Sequence, residues 1–352
     1  MTSITLQEKL SASGAHLGDY AGARTPVHFG DAPAEFDEVL NGCGVFDLGW
    51  RGKLIVSGED RVRWLNGMVT NNIRDQHLNH GNYNFLLNPQ GRIQGDMVVY
   101  NRGEHLLVST EIWQVPKITE TFEHFIIMDD VEVSNISDKL ASLGIAGPQS
   151  RERLARAGCT VPPLDNLQVV DTEWHGIGVS IARGISSRAD SYEIWLQPAN
   201  AVLVWDALTE AGAVPVGSQA LNWLRIVSGT PRFGVDIGER DLPQETGQSH
   251  ALNFAKGCYV GQEIVERIRS RGSVHRTFAG FEVQGAPPDH GTKISVSEKQ
   301  VGEITSAATV PFSTGDRTLA LGYIRRENAA PGSELQAGDT RLQVSALPFN
   351  LQ

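Results

Sequence analysis

The sequence has few cysteines, and none is spaced for a disulfide framework or a thiolate metal site. Cys43, Cys159 and Cys258 are the only three among 352 residues, an odd number without a Cys-x-x-Cys pair. The ten histidines likewise show no His-x-x-x-His or His-Glu-x-x-His spacing. Neither a four-thiolate nor a mononuclear metal site is therefore expected.

Long hydrophobic runs are also missing. Residues 1–22 lack the apolar segment of a secretory signal, and no later stretch approaches the ~18 uncharged apolar residues of a membrane helix. These absences predict a cytoplasmic protein without a membrane partner. A net charge of −11 disfavours nucleic acid as a partner unless a local basic patch binds it. Nothing in the sequence indicates an oligomeric state.

What the sequence does have is a globular composition rich in glycine. Hydrophobic residues make up 40%, charged residues 20%, and there are 37 glycines, which favours many turns and short strands. At 352 residues the chain exceeds what one hydrophobic core usually supports. We therefore expect two or three packed units.

The order of strand-like and helical segments predicts an α+β fold. Strand-like segments separated by Asn and Gly turns cover residues 83–109, and an apolar stripe at helical spacing follows them. The stripe consists of Val115, Ile118, Phe122, Phe125 and Ile126. After Thr277 the pattern changes to short strands with Gly and Pro turns, which is typical of a small antiparallel barrel or sandwich.

The most distinctive segment is Lys256-Gly257-Cys258-Tyr259-Val260-Gly261-Gln262-Glu263. Two glycines flank a thiol and an aromatic ring, and the second glycine precedes a predicted helix, Gln262–Arg271. Lys256 and the helix dipole would favour the thiolate form of Cys258, which nucleophilic, redox and metal chemistry require. A tight turn with a buried, inert thiol is the alternative.

This octapeptide resembles the signature of YgfZ-type proteins, which bind folate and support iron–sulfur cluster assembly or repair. Other segments resemble the wider glycine-cleavage T-protein superfamily, and they occur in the expected order. They are Gly44–Leu48, Gly52–Leu54, Thr70–Asn72, Tyr83 with Leu86–Asn88, Gly147–Gln149, Val301–Ser306 and Ala320–Tyr323.

The resemblance implies a three-lobed, T-protein-like ring. Two interwoven α+β lobes would cover residues 1–265, and a C-terminal antiparallel β-barrel would cover residues 275–352. Superfamily members hold folate in a central channel, so tetrahydrofolate or a derivative is the implied cofactor. Folate is then the implied partner, joined for the YgfZ-type branch by iron–sulfur assembly proteins or client enzymes.

Asp96 is a further candidate catalytic residue beside Lys256 and Cys258. Strand alternation puts Asp96 on the same face as Gln94 and Tyr100. T-protein-like enzymes have an aspartate here and use it beside the reactive nitrogens of tetrahydrofolate, so the resemblance implies such a role for Asp96. From the residues alone, an exposed strand aspartate is the alternative.

Folate contacts are also implied for several aromatic and basic residues. They are Trp50, Trp223, Tyr83, Arg225 and Tyr192. The two tryptophans can equally be core residues, because tryptophan buries a large area wherever it lies.

One element of the T-protein pattern is missing. T-proteins carry a Tyr-Thr-Gly-Glu-like segment whose glutamate accepts hydrogen bonds from the amide and amino groups of the pterin. The matching region, residues 185–193, lacks this glutamate. Asp190 and Glu193 are the candidate substitutes.

A basic cluster follows the octapeptide. Between residues 264 and 276, only Glu266 opposes Arg267, Arg269, Arg271 and Arg276. The cluster could receive the glutamate tail of folate, an acidic partner surface or an RNA such as tRNA. A solvated helix face is the alternative.

Three functions are therefore considered. The octapeptide favours a folate-binding accessory protein for iron–sulfur cluster assembly or repair. Asp96 favours a tetrahydrofolate-dependent one-carbon transferase, either an aminomethyltransferase or a demethylase. The missing glutamate favours the first function or a non-catalytic folate-binding module.

Overall fold

The structure, a computed structural model, describes residues 4–185, 188, 190–272 and 274–351. By its internal contacts the chain divides into two compact units. The first unit contains Met1–Asn66, Asn72–Tyr83 and Met97–Leu221. The second contains Gly67–Asn71, Asn84–Asp96 and Asn222–Gln352. The chain therefore passes between the units several times.

The α-helices of the described residues are short. They are α1 (Leu6–Ala12), α2 (Ala32–Asn41), α3 (Arg61–Met68), α4 (Val115–Phe125), α5 (Ser150–Arg156), α6 (Ala201–Glu210), α7 (Ser218–Val227) and α8 (Gln262–Arg271). Within these same ranges no helix has the length and hydropathy needed to cross a bilayer.

Thirteen strands precede α7 in the described chain. They are β1 (His16–Tyr20), β2 (Ala23–His28), β3 (Gly44–Asp47), β4 (Arg51–Ser57), β5 (Gly81–Leu87), β6 (Ile93–Asn101), β7 (Leu106–Glu111), β8 (Glu132–Asn135), β9 (Ala141–Ala146), β10 (Val169–Trp174), β11 (Ile177–Arg183), β12 (Ser191–Leu196) and β13 (Val214–Pro215). They form a β1-β2 hairpin, a five-stranded sheet in the order β5-β6-β7-β4-β8, and a six-stranded sheet in the order β10-β11-β12-β9-β3-β13.

The first unit has a separate hydrophobic cluster on each face of its six-stranded sheet. One cluster joins the sheet to α6 through residues such as Ile145, Ile194 and Val204. The other joins it to β6 and β7, where Trp195 meets Tyr100 and Leu107. Strand β12 contributes to both clusters because successive side chains of a strand point to opposite faces.

The second unit contains a closed antiparallel barrel. Its strands are β14 (Arg276–Gln284), β15 (Lys293–Val296), β16 (Lys299–Phe312), β17 (Gly315–Arg325), β18 (Glu334–Ala337) and β19 (Thr340–Ser345). They close in the order β14-β17-β16-β15-β18-β19 around an apolar core that includes Phe281, Ile304 and Leu342. The predicted α+β class and C-terminal antiparallel barrel are thus confirmed, whereas the domain boundaries at 265 and 275 stay predictions.

The apolar stripe predicted the position of α4 and part of its buried face. Helix α4 spans Val115–Phe125 and buries Val115, Ile118 and Phe122, whereas Phe125 is exposed and Ile126 lies just beyond the last helical residue. A 3-10 turn, Pro198–Asn200, directly precedes α6, which starts at Ala201. Asn200 provides no side-chain cap for α6, and a 3-10 turn is a common way to begin such a helix.

A buried carboxylate joins the barrel to the segment before it. The side chain of Asp236 is 0% exposed and pairs with Arg225 of α7 at 2.5 Å. It also accepts hydrogen bonds from Thr305 at 2.6 Å and Ser306 at 2.7 Å, both on β16. All four residues lie in the second unit, so Asp236 fixes α7 against the barrel.

Replacing Asp236 with alanine should destabilise the protein strongly. Asp236→Ala removes the carboxylate that pairs with Arg225 and accepts bonds from two buried hydroxyls, which typically costs about 3 kcal/mol. Urea denaturation followed by circular dichroism measures the change. Asp316→Ala, at an exposed position near the start of β17, is the control and should change the unfolding free energy by less than about 0.5 kcal/mol. Equal effects of the two substitutions would contradict this role.

Candidate functional site

In the first unit, a buried lysine and a glutamate from different sheets form an ion pair. Lys53 on β4 is 0% exposed, and its Nζ lies 3.3 Å from Glu193 Oε2 on β12. Lys53 stands directly opposite Ser109 in the β4–β7 ladder, and its Nζ donates to Ser109 Oγ at 2.7 Å. Arg51 donates to the same hydroxyl at 2.8 Å. Two cationic side chains therefore meet at one hydroxyl, and one of them, Lys53, also pairs with the Glu193 carboxylate.

The charges in this cluster change the pKa values of both partners. Burial lowers the pKa of Lys53 to about 8, although the Glu193 carboxylate opposes the change. Burial alone would raise the pKa of Glu193, but the charges of Lys53 and Arg51 and the hydrogen bond from Trp195 outweigh it and bring the pKa down to about 2. Glu193 is therefore a carboxylate throughout the physiological pH range.

Among the described residues, hydrogen bonds reach only one oxygen of Glu193. Oε2 accepts from Lys53 and, at 3.0 Å, from Trp195 Nε1. Within the described ranges, no residue donates to Oε1, and the side chain is 24% exposed. The cross-strand neighbours of Glu193 are Ala182 and Gly144, and the Phe46 ring lies over Gly144 on the same face of the sheet. Oε1 can therefore accept a hydrogen bond from a ligand.

Sequence reasoning left Glu193 as one of two substitutes and missed Lys53, Ser109 and Arg51 as site residues. Asp190, the other substitute, pairs with Arg183 at 3.0 Å. Ser186, Ser187 and Ala189 of the same region lie outside the described residues. The available signal was Lys53 itself, a charged residue directly before the apolar run Leu54-Ile55-Val56.

The octapeptide lies in the second unit, where its lysine is an internal anchor. Lys256 is 7% exposed, and its Nζ donates to the carbonyl oxygens of Val69 at 2.7 Å and Asn71 at 2.5 Å. The same ammonium lies 5.1 Å from the centroid of the Tyr259 ring. These contacts attach the loop to the 67–71 segment, whereas Cys258 is exposed.

Of the two glycines of the octapeptide, only one occupies a position where the structure excludes a side chain. Gly261 has a φ of +81°, and a Cβ there would lie 2.6 Å from the carbonyl oxygen of Asn88. Gly91, in the turn after Asn88, similarly approaches Ile264 of α8. At Gly257, by contrast, φ is not in the left-handed region and an added Cβ would meet nothing within 4 Å. Packing explains Gly261 but not Gly257.

Asp96 lies in the same unit as Lys256 and Cys258. It is half-buried on β6, between the buried residues Gly95 and Met97, so the predicted alternation is confirmed. Asp96 lies three residues after Ile93, the first residue of β6, which is roughly 10 Å at the strand rise of ~3.3 Å per residue. The catalytic roles of Asp96, Lys256 and Cys258 stay predictions.

The predicted folate-contacting residues are distributed over both units. Trp223 and Arg225 lie in the second unit, and Trp50, Tyr83 and Tyr192 lie in the first. Both tryptophans are more than nine-tenths buried. Trp50 packs edge-to-face on Tyr20 with ring centroids 5.0 Å apart.

Tyr192 and Arg225 are both engaged inside their own units. Tyr192 is 2% exposed in the cluster on the opposite face of β12 from Trp195. Arg225 uses all five of its N–H donors, on Asn222, Thr230, Asp236 and Ser306. A folate contact by Arg225 would require the loss of one of these bonds. Tyr83 is half-buried on β5.

The basic cluster is largely neutralised by nearby carboxylates. Arg267 pairs with Glu263 at 2.7 Å, and Arg269 pairs with Glu266 at 3.4 Å. Arg276 pairs with Asp241 at 2.5 Å and with Glu245 at 3.0 Å. These pairs favour the solvated-face alternative over a surface for polyanions. In the part of the chain that the structure describes, no group of three His, Cys, Asp or Glu side chains could hold a metal ion.

Replacing the two octapeptide glycines should separate packing from function. Gly261→Ala forces a non-glycine residue into the left-handed region against the Asn88 carbonyl, so it should lower stability by about 1–3 kcal/mol. Gly257→Ala is the matched control and should change stability by less than about 0.5 kcal/mol. Thermal denaturation of both variants checks the difference, and comparable losses would contradict the assignment.

The comparisons with known proteins agree with this fold. Residues 6–256 match the GCVT N-terminal domain, and residues 276–349 match the glycine cleavage T-protein C-terminal barrel domain. The chain resembles the aminomethyltransferase of Rubrobacter xylanophilus, with 31% identity over 92% of this chain and 87% of that protein. It is also 30% identical to the aminomethyltransferase of Streptomyces coelicolor, over 96% of this chain and 94% of that protein.

A solved structure gives the same result for the fold. The crystal structure of glycine cleavage system aminomethyltransferase T from Bartonella henselae matches with a TM-score of 0.88, over 99% of this chain and 98% of that chain. Its identity of 22% makes this a likeness of fold alone. Because the two domain matches together cover most of the sequence, the chain belongs to the glycine-cleavage T-protein family.

Proposed function

We propose that the protein is a folate-dependent one-carbon transferase of the aminomethyltransferase type. Its relatives in Rubrobacter xylanophilus and Streptomyces coelicolor carry that name and cover nearly the whole chain. The observation that carries the proposal is the Glu193 carboxylate, which is ionised, ordered through Oε2 and open at Oε1.

Glu193 has the chemistry needed to recognise a pterin. The pterin edge presents amide and amino N–H donors, and a carboxylate accepts them in charge-assisted hydrogen bonds. Such bonds are worth about 1.5–3 kcal/mol each because one partner is ionised. Glu193 thus supplies the acceptor that the Tyr-Thr-Gly-Glu-like segment supplies in other T-proteins. The residues of the first unit therefore fit a reduced pterin at this position.

Asp96 is the proposed acid–base residue. Tetrahydrofolate, when bound, would supply the nitrogen that takes up the one-carbon unit. The Asp96 carboxylate is half-buried and would hold or accept a proton beside that nitrogen. The proposed contacts of Trp50, Tyr83, Tyr192, Trp223 and Arg225 are of lower weight, since all but Tyr83 are buried or fully bonded inside the protein.

Tetrahydrofolate at saturating concentration should raise the melting temperature, because a ligand that binds only the folded state stabilises it. Glu193→Gln keeps the shape but loses the charge, so affinity should fall about tenfold to a hundredfold. Glu173→Gln, at an exposed position of β10, is the control and should bind normally. Differential scanning fluorimetry and calorimetry measure both effects. A wild-type protein that no folate stabilises would refute the proposal.

Catalysis is tested separately from binding. Asp96→Asn should lower the rate of methylene-tetrahydrofolate formation from an aminomethylated carrier or an N-methyl donor by about a hundredfold, with little change in folate affinity. The rate is followed by the absorbance of the folate product. An unchanged rate in the variant would remove Asp96 from the chemistry.

A second candidate function is support of iron–sulfur cluster assembly or repair, as the YgfZ-type signature suggests. It is favoured by Gly257 and Cys258, an exposed pair that no internal packing requires. Such a function would use the thiol at the protein surface, toward a cluster protein or a client enzyme. Lys256 would then act by holding the loop in place.

Cys258→Ala tests this second function in cells that lack the wild-type protein. If the thiol is required, the activities of iron–sulfur enzymes should fall, while folate binding by the purified variant stays normal. Ser270→Ala, at an exposed position of α8, is the control. Full cluster-enzyme activity with Cys258→Ala would eliminate the thiol-dependent function and leave the transferase proposal unaffected.

A further inference from the structure

Lys53 buries a positive charge at a considerable energetic cost. Its side chain is 0% exposed, and removing an ammonium group from water costs several kcal/mol. A methionine of similar size would fill the same space without that cost. In the chain as described, the polar partners of its Nζ are Ser109 Oγ and Glu193 Oε2. Any functional advantage of a lysine at position 53 must therefore come from its contacts with Ser109 and Glu193.

The contacts of Lys53 act on one side of Glu193 only. Lys53 and Trp195 both donate to Oε2, and the Lys53 ammonium lies 5.2 Å from the centroid of the Trp195 ring. Ser109, which is 1% exposed, fixes the ammonium from the opposite strand. With Oε2 held by two donors, the carboxylate cannot rotate freely, and Oε1 faces away from the pair.

We propose that Lys53 is a positioning residue that keeps Glu193 ionised and directs its free oxygen toward the ligand. The identity of that ligand as a reduced pterin rests on the function proposed above. The effect of Lys53 on Glu193 is independent of that proposed function, because it follows from contacts within the first unit alone.

The proposal has a consequence for the dependence of binding on pH. The ionisable groups that act on Glu193 are Lys53 and Arg51 on β4, with neutral Tyr100 on β6 nearby. Without Lys53, burial outweighs the remaining charge of Arg51, so the pKa of Glu193 rises. A protonated carboxyl group carries no negative charge, so the N–H bonds that it accepts from a ligand are weaker. Ligand affinity should then fall as the pH decreases, whereas the wild type should show little change.

The first test needs no ligand. Glutamate side chains are labelled with carbon-13, and the Glu193 signal is assigned by its loss in Glu193→Gln. In the wild type this carboxylate should stay ionised down to about pH 3, and in Lys53→Met its midpoint should rise by about two units or more. Lys139→Met, at an exposed position of the same unit, should leave the midpoint unchanged. An unshifted midpoint in a folded Lys53→Met protein would overturn the proposal.

The second test measures tetrahydrofolate affinity by calorimetry between about pH 5.5 and pH 8. Lys53→Met should weaken binding about tenfold or more at the acidic end and less at the alkaline end. In a Glu193→Gln background, Lys53→Met should have no further effect. A loss that is equal at every pH and additive in the double variant would indicate a structural role and overturn the proposal. A shifted Glu193 midpoint in a protein that does not bind tetrahydrofolate would refute the pterin and retain the role of Lys53.

Discussion

A lysine ammonium group can be buried only where acceptor oxygens replace the water it loses, and each unit of this protein contains one such site. In the first unit, Lys53 lies between a serine of β7 and a glutamate of β12. In the second unit, Lys256 lies against two backbone carbonyls of the 67–71 segment. Each ammonium also lies about 5 Å from an aromatic ring, which compensates part of the lost hydration. Because the cost is avoided only when all these groups are in place, each lysine forces distant chain segments into one geometry.

The two lysines bind partners of different charge. Lys53 acts on a charged partner, so it changes both the orientation and the protonation of Glu193. Lys256 acts on neutral carbonyls, so it orders a loop but transfers no charge to a reactive group. The thiol of Cys258 is exposed, and the ammonium that was expected to favour its thiolate is directed to Val69 and Asn71. Any activation of Cys258 must therefore come from the N-terminus of α8 or from a partner.

The sequence predicted features that depend on short-range patterns and missed those that depend on long-range pairs. The stripe from Val115 to Ile126 predicted α4, and the glycine before Gln262 predicted the start of α8. The Lys53–Glu193 pair joins residues 140 positions apart, and the Lys256–Val69 bond joins residues 187 apart. The periodicity of a sequence does not show which distant residues contact each other. A family resemblance shows it only for residues that the family shares, and this chain lacks the glutamate of the family's Tyr-Thr-Gly-Glu-like motif.

The division of the octapeptide into internal and exposed residues bears on its possible functions. Lys256, Tyr259 and Gly261 all have packing roles, so their presence requires no ligand. Gly257 and Cys258 have none, and a thiol without an internal role at the surface is a liability to oxidation. The Glu193 carboxylate and the Cys258 thiol belong to different units with separate internal supports. A substitution at one of them should therefore leave the contacts of the other unchanged.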